Sequence, residues 1–148
     1  MAKWLLLALG AILFLAGCGG SGSRSSDSPG RAQTRVLEDI FTGQLDAAYA
    51  TLHPAYQRLV SQQRFVACAR ATSLGNLDSI KVLDVYDDPV DIPGSGQVPA
   101  KAVRVQLISS NRKLRPFVNH EVKVGSDWRW VMNRKAVKAY RAGRCPGG

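Results

Sequence analysis

Between residues 31 and 71 apolar positions recur every three or four residues, and from residue 79 onward they recur every second one. That change of period predicts helices first and antiparallel strands afterwards. In RAQTRVLEDIFTG, Val36, Leu37, Ile40 and Phe41 share a helical stripe, with Gly43 as a stop. QLDAAYATLHPAYQRLV continues it with Leu45, Ala48, Tyr49 and Leu52. Pro54 must kink or restart the helix, because it lacks an N–H and clashes with the preceding turn. Ser61 is placed to cap a third helix, QQRFVACARA, with Phe65, Cys68 and Ala69 on one face.

SIKVLDVY reads as a strand whose apolar residues change face at Val82-Leu83, which predicts a bulge. DDPVDIPGSGQVP reads as a loop, and AKAVRVQLI alternates Val103, Val105 and Leu107 with Arg104 and Gln106. RPFVNHEVKV sets Val118, His120, Val122 and Val124 opposite Asn119, Glu121 and Lys123. With GSD as the turn, WRWVM returns with Trp128, Trp130 and Met132 on one face. Facing Val124 with Trp128 puts Val122 beside Trp130 and His120 beside Met132. One apolar face would then hold two tryptophans and a histidine, with Glu121 and Lys123 pointing the other way. The expected class is α+β: N-terminal helices packed on a curved four-stranded antiparallel sheet, then a short C-terminal helix or tail. No repeat and no second domain is visible.

The N-terminal 17 residues have a different character. Met1 and Lys3 form a positive start, and Trp4 to Leu15 an apolar core too short for the roughly 20 residues that a spanning helix needs. They read as a secretory signal. Its end, Leu15-Ala16-Gly17-Cys18, resembles the lipobox of bacterial lipoproteins. The resemblance implies cleavage before Cys18, acylation of that cysteine, and a protein exported and anchored to the outer face of the cell membrane. Residues 18–30 then form the lipidated cysteine and a Gly/Ser tether, GGSGSRSSDSPG, expected to be a flexible coil. The folded domain spans 31–148.

Export changes how the other cysteines are read. An oxidising milieu favours bridging an even pair, so Cys68 and Cys145 are expected to form a disulfide. Charge adds a second asymmetry. The chain carries +9 in total, and Lys101 to Gly148 holds twelve basic residues against two acidic ones, Glu121 and Asp127. That basic third suits anionic lipid head groups or cell-wall polymers; it is equally compatible with a plain solvated face. Nucleic acid is not an expected partner of an exported protein.

Candidate chemistry is sparse. Asp87, Asp88 and Asp91 lie too far out of register for a calcium loop, and two histidines and three cysteines make no zinc spacing. No metal or cofactor is expected, and neither a phosphate loop nor a nucleophile elbow occurs. The candidate pocket is His120 with Trp128 and Trp130. His120 has three roles open to it: general base, ligand contact, or hydrogen-bonded core residue. The tryptophans are core residues or a stacking platform.

The order AAYATLHPAYQRLV, RFVACARA, WRWVM, YRAGRCP resembles small secreted actinobacterial lipoproteins with a nuclear-transport-factor-two-like (cystatin-like) domain. The resemblance covers about residues 31 to 146 and implies a sheet curled into a cone with a cavity. Relatives of that fold include acid–base enzymes such as ketosteroid isomerase, as well as ligand binders and scaffolds. The expected function is a non-catalytic, lipid-anchored binding or accessory module of the cell envelope. The alternative is a small cavity isomerase, dehydratase or hydrolase with His120 as base. An enzyme requires an open pocket with His120 hydrogen-bonded to a second polar side chain; a scaffold requires Trp128 and Trp130 to seal that space.

Overall fold

The computed structural model describes residues 28–71, 76–110 and 112–147. The signal segment, Cys18 and most of the tether lie outside them. The first helix, α1 (Pro29–Phe41), begins inside the segment expected to be tether. Ser28 accepts the Arg31 amide at 3.3 Å and Pro29 occupies the first turn, two start signals that outweigh the Gly/Ser composition before them. The stripe continues in α2 (Leu45–Ala50), and Pro54 restarts the chain as the short α3 (Pro54–Gln57). Ser61 accepts the Arg64 amide at the start of α4 (Gln62–Ala71), which buries Phe65, Val66 and Cys68.

Helices are followed by an antiparallel sheet in the order β1 (Ser79–Asp87), β4 (Lys101–Ser109), β6 (Phe117–Val124), β7 (Asp127–Trp130). A two-residue β5 (Arg112–Lys113) pairs with β4. The β1–β4 register shifts between Val82 and Asp84, so Leu83 is the bulged residue and Asp84 accepts the Val85 amide at 2.8 Å. Helix α1 lies across β1, β4, β6 and β7. A last helix, α5 (Arg134–Arg141), is capped by Asn133, which accepts the Ala136 amide at 2.9 Å. The fold is therefore α+β, with helices first and a short C-terminal helix.

Two local expectations need correcting. The segment expected to be a loop contains a hairpin, β2 (Val90–Ile92) and β3 (Gly96–Val98). Its turn is Ile92-Pro93-Gly94-Ser95, closed by Ser95 N–H to Ile92 C=O at 3.0 Å, with Gly94 at φ 78°. Proline then glycine is the pairing a type II turn requires.

The β6–β7 register also differs by one residue. Val124 pairs with Asp127, Lys123 with Trp128 and Glu121 with Trp130. The turn is the two residues Gly125-Ser126, with Gly125 at φ 61°, rather than Gly125-Ser126-Asp127. Because side chains alternate, a slip of one residue exchanges the faces. Trp128 and Trp130 therefore share a face with Glu121 and Lys123, and His120 with Val122 points to the other.

The disulfide Cys68–Cys145 joins α4 to the tail beyond α5, with Cα atoms 5.3 Å apart. The larger core cluster unites α2, α3 and α4 with Ile92, Val122, Val131, Met132 and Tyr140, and a smaller one sets Leu37 against Val103, Val105 and Leu107.

Candidate functional site

His120 lines a groove of about 1000 Å³ bounded by the β2–β3 hairpin, β6 and α5. Its Nε2 donates to Asp88 Oδ2 at 2.7 Å, with the imidazole about a quarter exposed. Asp88 stands immediately after β1. The pairing of Asp87 with Lys101, and of Ala102 with His120, carries it across β4 to the histidine. With Nε2–H committed to the carboxylate, Nδ1 is left as the acceptor. The pair thus holds an oriented imidazole at an open groove, the arrangement a general base needs.

The rest of the lining divides by chemistry. Ile92, Val131 and Met132 are buried apolar residues, and Val90, Val118 and Val137 widen the same apolar surface. Asp91 faces Arg134 at 3.5 Å, an exposed pair worth little by itself. Lys138 and Arg141 stand along α5 at the groove, and neither has an ion-pair partner among the described residues. Tyr56 adds a phenol at the groove; burial first, and then the Asp91 carboxylate, pushes its pKa up, so it stays a neutral hydroxyl. No serine, threonine or cysteine is among the lining residues.

The three aspartates do not converge. Asp87 meets Lys101 at 2.7 Å, Asp88 meets His120, and Asp91 meets Arg134. His53 lies outside the groove: its Nδ1 accepts the Ala55 amide at 3.2 Å at the start of α3. Burial, followed by the Arg58 and Arg129 charges, lowers its pKa.

The tryptophans belong elsewhere. Trp130 Nε1 donates to the Ala48 carbonyl at 2.8 Å, and its own carbonyl accepts the His53 amide at 2.9 Å. Its ring meets Phe65 at 6.0 Å, so it locks β7 to α2 and α4. Replacing Trp130 by Phe should keep much of that packing while removing the indole donor from the Ala48 carbonyl, which still accepts the Thr51 hydroxyl at 3.0 Å. We expect a loss of about 0.5–1.5 kcal/mol in chemical denaturation, with groove properties unchanged. Trp128 carries Lys123 over its ring at 4.9 Å. Neither tryptophan lines the groove, so His120, Trp128 and Trp130 do not form one site.

A second polar feature was not expected at all. Glu121 and Gln33 are both 0 % exposed, and none of their side-chain polar atoms has a hydrogen-bond partner among the described residues. The indole N–H of Trp128 is likewise buried without a partner. Burial raises the Glu121 pKa to about 8, so the carboxyl is held largely neutral at pH 7.

Comparison with known proteins finds no matching family model, no curated relative and no similar solved structure.

Proposed function

We propose that this protein is a lipid-anchored, non-catalytic binding module on the outer face of a bacterial cell membrane, with its ligand in the groove between the β2–β3 hairpin and α5. The observation that carries the reading is the groove itself. At about 1000 Å³ it lies at the upper end of ordinary ligand pockets, roughly 300–1,000 Å³, and apolar residues such as Ile92, Val131 and Met132 share its lining with polar and charged side chains. Anchoring is supported by the Leu15-Ala16-Gly17-Cys18 motif, and the nuclear-transport-factor-two-like reading by helices preceding a sheet that α1 crosses.

Two experiments test this reading. Metabolic labelling with a fatty-acid analogue should mark the wild type and not Cys18→Ala; label that persists in the variant contradicts anchoring. Amide hydrogen exchange on the full chain in its own membranes, before and after solvent extraction of small molecules, should show β2, β3 and α5 losing protection on extraction. Unchanged exchange in those elements contradicts a ligand in the groove.

A second reading rests on one observation, the Asp88–His120 pair at an open groove that the tryptophans do not seal. A carboxylate-oriented imidazole could take a proton from a bound substrate, making the protein a cavity isomerase, dehydratase or hydrolase. Turnover found in a small-substrate screen and abolished by His120→Gln would establish it. Under the binding reading no such turnover exists and His120→Gln folds normally.

A further inference from the structure

We infer that the groove's ligand is a single-chain anionic amphiphile, bound with its carboxylate or phosphate head at Lys138 and Arg141 and its chain along the apolar floor. This rests on the reading of the groove as a ligand site and adds the ligand's charge and shape.

Some of the groove's charges already face a partner. Asp88 is committed to His120 at 2.7 Å, and Asp91 faces Arg134 at 3.5 Å. That leaves Lys138 and Arg141 as the lining charges with no ion-pair partner among the described residues. They stand three residues apart on α5, so their side chains leave the same side of the helix with Cβ atoms roughly 5–6 Å apart. Two cations at that spacing suit the two or three oxygens of one carboxylate or phosphate. Helix α5 contains no acidic residue that would compete for them.

The floor sets the rest of the ligand. Ile92, Val131 and Met132 are buried, and Val90 and Val137 pack against the same apolar cluster. An inorganic anion would leave this surface in water, and a neutral chain would leave the two cations unanswered. An acyl or alkyl chain with an ionised head uses both parts. A two-chain phospholipid and a free fatty acid share the anionic head, and the test separates them.

The test is photo-crosslinking of the full-length protein in its own membranes, using dodecanoate with a diazirine at the chain end. Cross-links should map to peptides of β2 and α5. Unlabelled dodecanoate and dodecyl phosphate should compete, whereas dodecanol and inorganic phosphate should not. The double substitution Lys138→Gln, Arg141→Gln changes two exposed side chains and should leave the melting temperature unchanged. It should weaken labelling by about tenfold or more, the order expected for losing charged hydrogen bonds. Competition by dodecanol equal to that of dodecanoate would keep the groove as an apolar ligand site and overturn the anionic head. Competition by anionic phospholipid vesicles but not by dodecanoate would overturn the single chain. Labelling confined to sites outside the groove would overturn this inference and the groove reading together.

Discussion

Replacing Glu121 by Gln is expected to make the folded domain markedly more stable at alkaline pH, and to abolish most of the pH dependence of its stability between about 4.5 and 8. Glu121 sits on β6 with no exposed surface and, among the described residues, no hydrogen-bond partner for either carboxyl oxygen. Burial lifts its pKa from 4.5 to about 8, whereas the unfolded chain titrates it near the ordinary value. Below pH 4.5 both states carry the proton and the group contributes no slope. Between 4.5 and 8 the folded state keeps a proton that the unfolded state releases, so stability falls as pH rises. Above 8 both states are ionised, and the penalty of the buried charge is present in full.

A shift of this size corresponds to roughly 5 kcal/mol as an upper bound, since each unit of pKa is about 1.4 kcal/mol and local rearrangement relieves part of it. Glu121→Gln keeps the shape and removes the ionisation. Urea denaturation at pH 5 and pH 9 checks the outcome: the wild type should lose stability between the two and the variant should not. Parallel curves for the two proteins would show that Glu121 reaches a partner or solvent in the folded chain.

The second large effect concerns the disulfide. Cys68 is buried on α4, and Cys145 follows α5 in a tail of arginine, proline and glycine. Beyond the helix the tail is tied by Gly143 N–H to Tyr140 C=O and by Arg144 N–H to Ala139 C=O, both local bonds. The bridge closes a separation of 77 residues, which in the chain-entropy model stabilises the fold by about 4–4.5 kcal/mol at most. Reduction, or Cys68→Ala with Cys145→Ala, should lower the melting temperature by roughly 12–16 °C for a domain of this size. Either single substitution should cost about as much as the double, since each breaks the same bond. A thiol count of zero on unfolded, unreduced mature protein is the companion result. Two titratable thiols in the protein purified from its own cells would refute the bridge.

Much of the architecture was legible because local patterns and packing agree. The stripe of Val36, Leu37, Ile40 and Phe41, the restart at Pro54, the Ser61 cap and the bulge at Leu83 each follow from the residues at hand. The misread hairpin had its signal in the chain: Ile-Pro-Gly-Ser at 92–95 is a turn sequence between two short apolar-polar runs. The β6–β7 register turned on whether Asp127 belonged to the turn or to the strand. One residue there decided which face of the sheet received the tryptophans.

The site was harder to read because it is assembled across strands. His120 stood out by type and period, but its partner Asp88 reaches it only through the pairing of β1 with β4 and of β4 with β6. The cations of the groove come from α5, in the stretch where basic residues are densest and so least distinctive. Gln33 lies within the apolar stripe of α1, three residues before Val36, which placed it on the buried side. Alternation along β6 sets Glu121 opposite His120 and Val122, on the side the sequence pattern marks as polar, whereas the fold buries it completely.

Whether the groove between the β2–β3 hairpin and α5 holds a ligand is read most directly from its occupancy. Val118 is an exposed strand residue at the groove, 38 % accessible, where tryptophan is tolerated by a β-strand and fills space. Full-length wild type and Val118→Trp would be purified from membranes, washed alike and extracted, and the released small molecules identified by mass spectrometry. A compound should be present near one equivalent in the wild type and depleted at least about tenfold in the variant, at equal melting temperature. The same compounds in equal amount from both proteins, or none from either, would contradict a ligand in the groove.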